Sequence, residues 1–373
     1  MRVKVIWPLK FVYNMSEGRA AGVLVAMRDQ WASMTGMAFM FVSTILIGLS
    51  VQPIYNIPEA RAFGEEGASK GAFVALELLM IGIFTVVIIW LARRGLEFFI
   101  KAIVLFALWM SLFYALQPYV ALMLYFLDLD TLANVAILSV AISIGSIYLL
   151  HRFPEWYVVN GVGIMVGAGV ITLIGVSFVP VLIIGFMIAA AIYDYWAVNG
   201  SKHMLELADT MIGLKLPVLL VAPKNANYSF IDEDDSVMMD KEIESSSMDW
   251  EDPVPHIKNE GGDTKGRDAL FMGLGDVIFP GMLVISSVSF LPQTGGELTY
   301  FSAFGVMYAD SLTVAMGTLL GGLVGYFALM TQVARGKPQA GLPLLNGGSI
   351  LGYLISGYFA LGMSNLWQDI TFF

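Results

Sequence analysis

The chain has 373 residues, 57% of them hydrophobic and 13% charged, with a net charge of −10 and a mean hydropathy of +0.74. Soluble domains carry roughly a quarter of their residues as charges, so this composition excludes one. No basic stripe offers itself to nucleic acid, and the lack of cysteine excludes a disulfide framework, a thiolate metal site and a cysteine nucleophile.

Residues 1–31 carry five basic residues and no apolar run ending in a small-residue cleavage site, so they read as a cytoplasmic N-terminal segment without a signal peptide. Runs of about 20 apolar residues can cross a bilayer as helices. Six such windows follow, at about 32–51, 72–92, 99–126, 132–150, 157–177 and 179–199. A hydrophilic insertion, 200–268, then interrupts the pattern. Its first part, 201–214, puts Met204, Leu205, Ala208, Met211 and Ile212 on one helical face, which predicts an amphipathic helix on the inner membrane surface. The segment 216-LPVLLVAP-223 is short, β-branched and bounded by prolines, hence extended. Residues 225–253 are acidic and serine-rich and read as a disordered tether. Three more windows, about 269–291, 304–330 and 342–363, place the second membrane segment at 269–373 after the first at 32–199.

Basic residues orient these spans. With the N-terminus inside, all of the 20 lysines and arginines except Arg61 and Lys70 fall on the cytoplasmic side, the asymmetry expected of a multi-pass protein. The sequence therefore predicts an all-α polytopic membrane protein of nine transmembrane helices, N-terminus cytoplasmic and C-terminus outside.

Carboxylates inside apolar runs are costly and mark function by default. Glu77 and Asp310 sit near the outer ends of their spans, where interfacial water or a local partner can satisfy them. Asp194 lies about five residues from the inner end of the sixth span and Asp276 about seven from that of the seventh, depths of ~7.5 and ~10 Å. Two aspartates on consecutive spans at one level can meet, or each can bond a separate partner. If they meet, they cannot both ionise cheaply and share a proton. The charged member can then activate water while the protonated member donates to a carbonyl oxygen, with no metal or other cofactor. Gly273 and Gly275 clear space beside Asp276, and Pro280 lacks the N–H that would bond the Asp276 carbonyl. No His-Glu-x-x-His occurs, and His151, His203 and His256 fall in cytoplasmic segments, which removes zinc and serine–histidine chemistry from the membrane interior.

Tyr193-Asp194 followed by Gly273-Leu274-Gly275-Asp276 resembles the YD and GxGD motifs of presenilin and signal peptide peptidase, the intramembrane aspartyl proteases. The stretches 193-YDYWAVNGSKHMLE-206 and 273-GLGDVIF-279 extend the likeness, as do nine spans with a long loop between the sixth and seventh. The resemblance implies that Asp194 and Asp276 are the catalytic pair, with Tyr193, Gly273, Leu274 and Gly275 supporting the site. The family's Pro-Ala-Leu motif falls at 340–342, where this chain reads Ala340-Gly341-Leu342 with Pro343 following. Two of the three positions differ, and the resemblance assigns this element to substrate positioning. Signal peptide peptidases lie in the bilayer in mirror image, so the N-in orientation makes this chain presenilin-like, similar to archaeal presenilin homologues of the cell membrane. The implied partners are transmembrane helices of substrate proteins within the lipid bilayer, and the resemblance does not specify accessory subunits.

Two further expectations stand beside this one. The extended 216–223 segment could pair with an unwound substrate strand. A different class, a proton- or cation-coupled transporter or channel, could use Glu77, Asp194, Asp276 and Asp310 as binding groups, although no inverted repeat is detectable.

Overall fold

A computed structural model of the chain describes residues 28, 30–198, 219–224, 228–229, 269–298, 305–333 and 340–371. Among them are nine long helices: α1 Trp31–Tyr55, α2 Gly71–Arg93, α3 Glu97–Tyr125, α4 Leu132–Arg152, α5 Trp156–Gly175, α6 Pro180–Trp196, α7 Leu274–Phe290, α8 Ala309–Val333 and α9 Leu342–Ala360. Each lies where an apolar window predicts one. Six (α1 to α5 and α8) are long and apolar enough to cross a membrane, while α6 and α7 are shorter apolar helices. The amphipathic helix expected at 201–214 and the acidic tract at 225–253 lie outside the described residues, apart from Tyr228 and Ser229.

The bundle has an interior and a periphery. Of the apolar stretch in α5, 61% is buried, against 6% in α2. Helix α5 packs on α1, α3 and α7 at the centre, whereas α2 and α4 present most of their side chains outward. In water such surfaces would drive aggregation; in a bilayer they meet lipid tails of equal apolarity. Within hydrocarbon the hydrophobic effect does not pull helices together, so close backbone approach has to do it. Helices α8 and α9 achieve that with glycines at 317, 321 and 325 facing Gly348 and Gly352. A Cβ built on Gly321 would stand 2.9 Å from the Gly352 Cα, so even alanine would force the pair apart. Buried hydroxyls are satisfied in place: Tyr326, fully buried, donates to the Met34 carbonyl at 2.8 Å and ties α8 to α1.

One boundary differs from the sequence reading. Residues 269–273, expected as the first turn and a half of the seventh span, form a strand, and the helix begins at Leu274. Strand β1 (Leu219–Pro223) pairs antiparallel with strand β2 (Ala269–Gly273), Val221 opposite Phe271. An apolar run alone does not separate a buried strand from a helix end, and here pairing with β1 decides the outcome.

The two strands lie against α1 and α5, and Leu220, Val221 and Ala222 are buried. The edge of β1 away from β2 is filled by the Asn160 carboxamide, which bonds both the N–H and the C=O of Val221. Of the segment 216–223, expected to be extended and to receive a substrate strand, residues 219–223 are a strand paired with β2, and 216–218 lie outside the described residues. Both edges of β1 at Val221 are taken within the chain.

Candidate active site

Three helix ends converge at one end of the bundle. Asp194 sits in the last turn of α6, which closes in a π turn at residues 197–198. Asp276 occupies the third position of α7, and Gly341 and Leu342 form the N-cap and first residue of α9. The expected meeting of the two aspartates occurs because α6 ends where α7 begins.

Each acid satisfies backbone donors that a helix start leaves without partners. The first N–H groups of α9 face the Asp194 carboxylate, and that of Leu342 donates to Oδ2 at 3.1 Å. Asp276 turns back on its own helix start, accepting from the backbone of Gly273, the reach of an N3 acid to the N-cap. Asp194 is 6% exposed, and Asp276 lies close enough for the two carboxylates to interact electrostatically. Neither is paired with a base among the described residues. Donors from α7 and α9 thus hold two acids of like charge together.

Gly341 lies between them. A Cβ added there would come 3.0 Å from Oδ2 and 3.2 Å from Cγ of Asp276, so the second residue of the altered Pro-Ala-Leu element touches the second acid while the third bonds the first. Ala340 is buried, and Pro343 stands in the first turn of α9, where its missing N–H costs nothing. One turn further on, Asn346 donates from Nδ2 to the Met187 carbonyl at 2.9 Å and fastens α9 to α6.

The other predicted supports divide. Leu274 is buried against Gly167, where a Cβ would come 3.1 Å from its Cδ1, and fixes the start of α7 on α5. Beside Gly273 a Cβ would find Asp276 at 3.6 Å, whereas beside Gly275 it would meet nothing within 4 Å. Gly275 therefore opens one flank of the acid. Tyr193 is 48% exposed, and its ring leans on Trp196 with centroids 6.3 Å apart. Adjacent helical residues diverge by about 100°, so Tyr193 cannot share the buried face of Asp194.

The remaining acids stay apart. Asp310, in the first turn of α8 near the opposite ends of the helices, accepts from Thr294 Oγ1 at 2.7 Å, and Glu77 lies partly buried on the peripheral α2. Asn160 and Asn346 had no motif to announce them. A polar amide within an apolar window was the only available signal.

A helical membrane bundle with two aspartates facing one another at joined helix ends defines a class: polytopic membrane proteins built for aspartate-pair chemistry. Comparison makes this specific. The family described as "Signal-peptide peptidase, presenilin aspartyl protease" matches residues 37–362. The fold is similar to two solved structures of a presenilin family intramembrane aspartate protease, in C222 and P2 crystal forms. They show 25% and 26% identity, cover 89% of this chain and all of theirs, and have TM-scores of 0.54. No curated protein sequence matches at a significant level. The chain belongs to the signal-peptide peptidase and presenilin aspartyl protease family. It is an intramembrane aspartic endopeptidase, which disfavours the transporter reading.

Proposed function

We propose that Asp194 and Asp276 are the catalytic pair, and that the enzyme hydrolyses peptide bonds within transmembrane helices of other membrane proteins. The observation that carries this reading is the convergence of both carboxylates with the first backbone N–H groups of α9. With one proton shared, the ionised aspartate removes a proton from water as that water attacks the scissile carbonyl carbon. The protonated one donates to the carbonyl oxygen, giving a neutral gem-diol. Collapse of the diol breaks the C–N bond, and a carboxyl proton passes to the leaving amine. The substrate helix must unwind locally, because its hydrogen bonds and side chains screen the scissile carbonyl. The open flank at Gly275 supplies room for an extended segment beside Asp276. Gly341 and Leu342, with Ala340 and Pro343 beside them, position α9 on both acids and line the approach to them.

The same reading places all nine helices across the bilayer, N-terminus in the cytoplasm and C-terminus outside, as the basic residues support. Residues 200–268 then form a cytoplasmic loop between membrane segments 32–199 and 269–373. Residues 1–31 are cytoplasmic and the enzyme resides in the cell membrane. The test is to incubate the purified full chain in bicelles with a single-span peptide and identify products by mass spectrometry. Cuts within the apolar stretch, absent for Asp194→Asn and Asp276→Asn, support the proposal. Cleavage that survives either change overturns the assignment of the pair.

A further inference from the structure

We propose that Asn160 is a positioning residue for Asp276, holding in place the strand pair from which the catalytic helix starts; this rests on the reading of Asp194 and Asp276 as the catalytic pair. Asn160 lies in the second turn of α5 and is 6% exposed. Its Nδ2 donates to the Val221 carbonyl at 2.7 Å, and its Oδ1 accepts from the Val221 N–H at 2.8 Å. A carboxamide bonded to both groups of one residue does what a neighbouring strand would do. In a strand, the N–H and C=O of one residue point to the same side and those of its neighbours to the other. Because Val221 turns its groups to Asn160, Leu220 and Ala222 turn theirs to β2, opposite Met272 and Leu270. The side chain thereby completes a three-lane ladder of Asn160, β1 and β2.

The ladder reaches the chemistry in three residues. Strand β2 ends at Gly273, which is also the N-cap of α7, and Asp276 is the third residue of that helix. The Asp276 carboxylate bonds the Gly273 backbone, so a shift of β2 moves the acid and its own anchor together. No flexible link intervenes. Helix α5 is the right body to reference this position, being central and the most buried of the six helices long and apolar enough to cross a membrane, and Leu274 packs on it at Gly167. A second tie, Ser229 Oγ to Glu155 Oε1 at 2.9 Å, holds the chain beyond β1 to the residue preceding α5. An apolar residue at 160 could fill the same volume. It would leave both Val221 groups without partners in a buried place, and β1 would be free to slide or lift. Asn160 touches neither carboxylate, so its effect on catalysis runs through β1 and β2.

The experiment compares the full-length enzyme with Asn160→Leu, Asn160→Gln and Thr172→Val on one single-span peptide in bicelles. Thr172 is a matched control on the same helix, with buried bonds to the Gly48 and Ala168 carbonyls at 3.0 and 2.8 Å, far from the strands. Per folded molecule, Asn160→Leu is expected to lower kcat about 100-fold, the cost of misplacing a reacting group by about 1 Å, with KM within about twofold. Asn160→Gln keeps both bonding groups on a longer stem, folds if Leu does not, and is expected to lose about tenfold in kcat. Hydrogen exchange at 219–223 should rise in both Asn160 variants and stay unchanged in Thr172→Val, which keeps wild-type kcat. An Asn160 variant with wild-type kcat per folded molecule, or a loss that falls on KM, overturns the positioning role and leaves the aspartate pair standing. A wild-type enzyme that cuts no peptide overturns the reading of the site itself.

Discussion

Asp276 and Asp310 both stand in the first turn of a helix, on α7 and α8, yet they meet different surroundings. The helix start favours a negative charge in each case, which accounts for two carboxylates being tolerated within apolar sequence. Their surroundings separate them. Asp310 accepts from Thr294 Oγ1, and its backbone N–H bonds the Thr294 carbonyl. It packs so tightly on Gly295, at φ +83°, that any side chain there would collide with the carboxylate. Each of these contacts is local and ties the start of α8 to residues 294–295. Asp276 faces a second acid instead, with an open flank at Gly275. Helix position explains how a membrane chain keeps an aspartate; the group across from it separates the acid proposed for catalysis from the one that only fixes a turn.

The largest effect should separate the two regions outright. Asp194→Asn and Asp276→Asn are each expected to bring cleavage to the uncatalysed background, singly as fully as together, because residues acting as one unit are not additive. Asp310→Asn should leave kcat within about twofold in the same peptide assay. Next comes Gly341→Ala. Its Cβ would press on the Asp276 carboxylate at 3.0 Å, and the acid or α9 must give by a few tenths of an ångström. We expect kcat to fall about tenfold while thermal unfolding barely moves, since misplacement of a reacting group is costly for rate. A smaller change belongs to the outer turn: Thr294→Val removes the donor to Asp310 and should cost about 1–2 kcal/mol of stability, read as a lower Tm, with activity per folded molecule unchanged. Smallest is Glu77→Gln on the peripheral α2, expected within about 0.5 kcal/mol and without effect on turnover. If Glu77→Gln or Asp310→Asn abolished cleavage, the distinction between structural and catalytic acids would collapse.

Hydropathy made the nine helices legible, because each buries or exposes a whole apolar window, and the equal depth of Asp194 and Asp276 made their meeting legible. What hydropathy could not separate was 269-ALFMG-273 from the helix that follows, since a buried strand and a helix start share the same apolar composition. Only β1, about 50 residues earlier, distinguishes them, and pairing at that range leaves no periodic trace. Leu342 lies beside Asp194, but the contact is made by its backbone N–H, which every residue but proline possesses. That explains how Ala340-Gly341-Leu342 can depart from Pro-Ala-Leu at two positions and still reach Asp194. Tyr193 shows the opposite relation. Its neighbourhood in sequence to Asp194 is a separation on the helix surface.

The central claim is that Asp194 and Asp276 act as one unit holding one proton, and the pH dependence of kcat tests it most directly. At low pH both carboxyls are protonated and no base can activate water; at high pH both are ionised and no acid can protonate the carbonyl oxygen. The rate of single-span peptide cleavage by the wild-type enzyme should therefore rise and then fall across the pH range, with both limbs belonging to the pair. A rate that climbs with pH to a plateau and stays there would contradict the account, because a single ionised aspartate would then suffice.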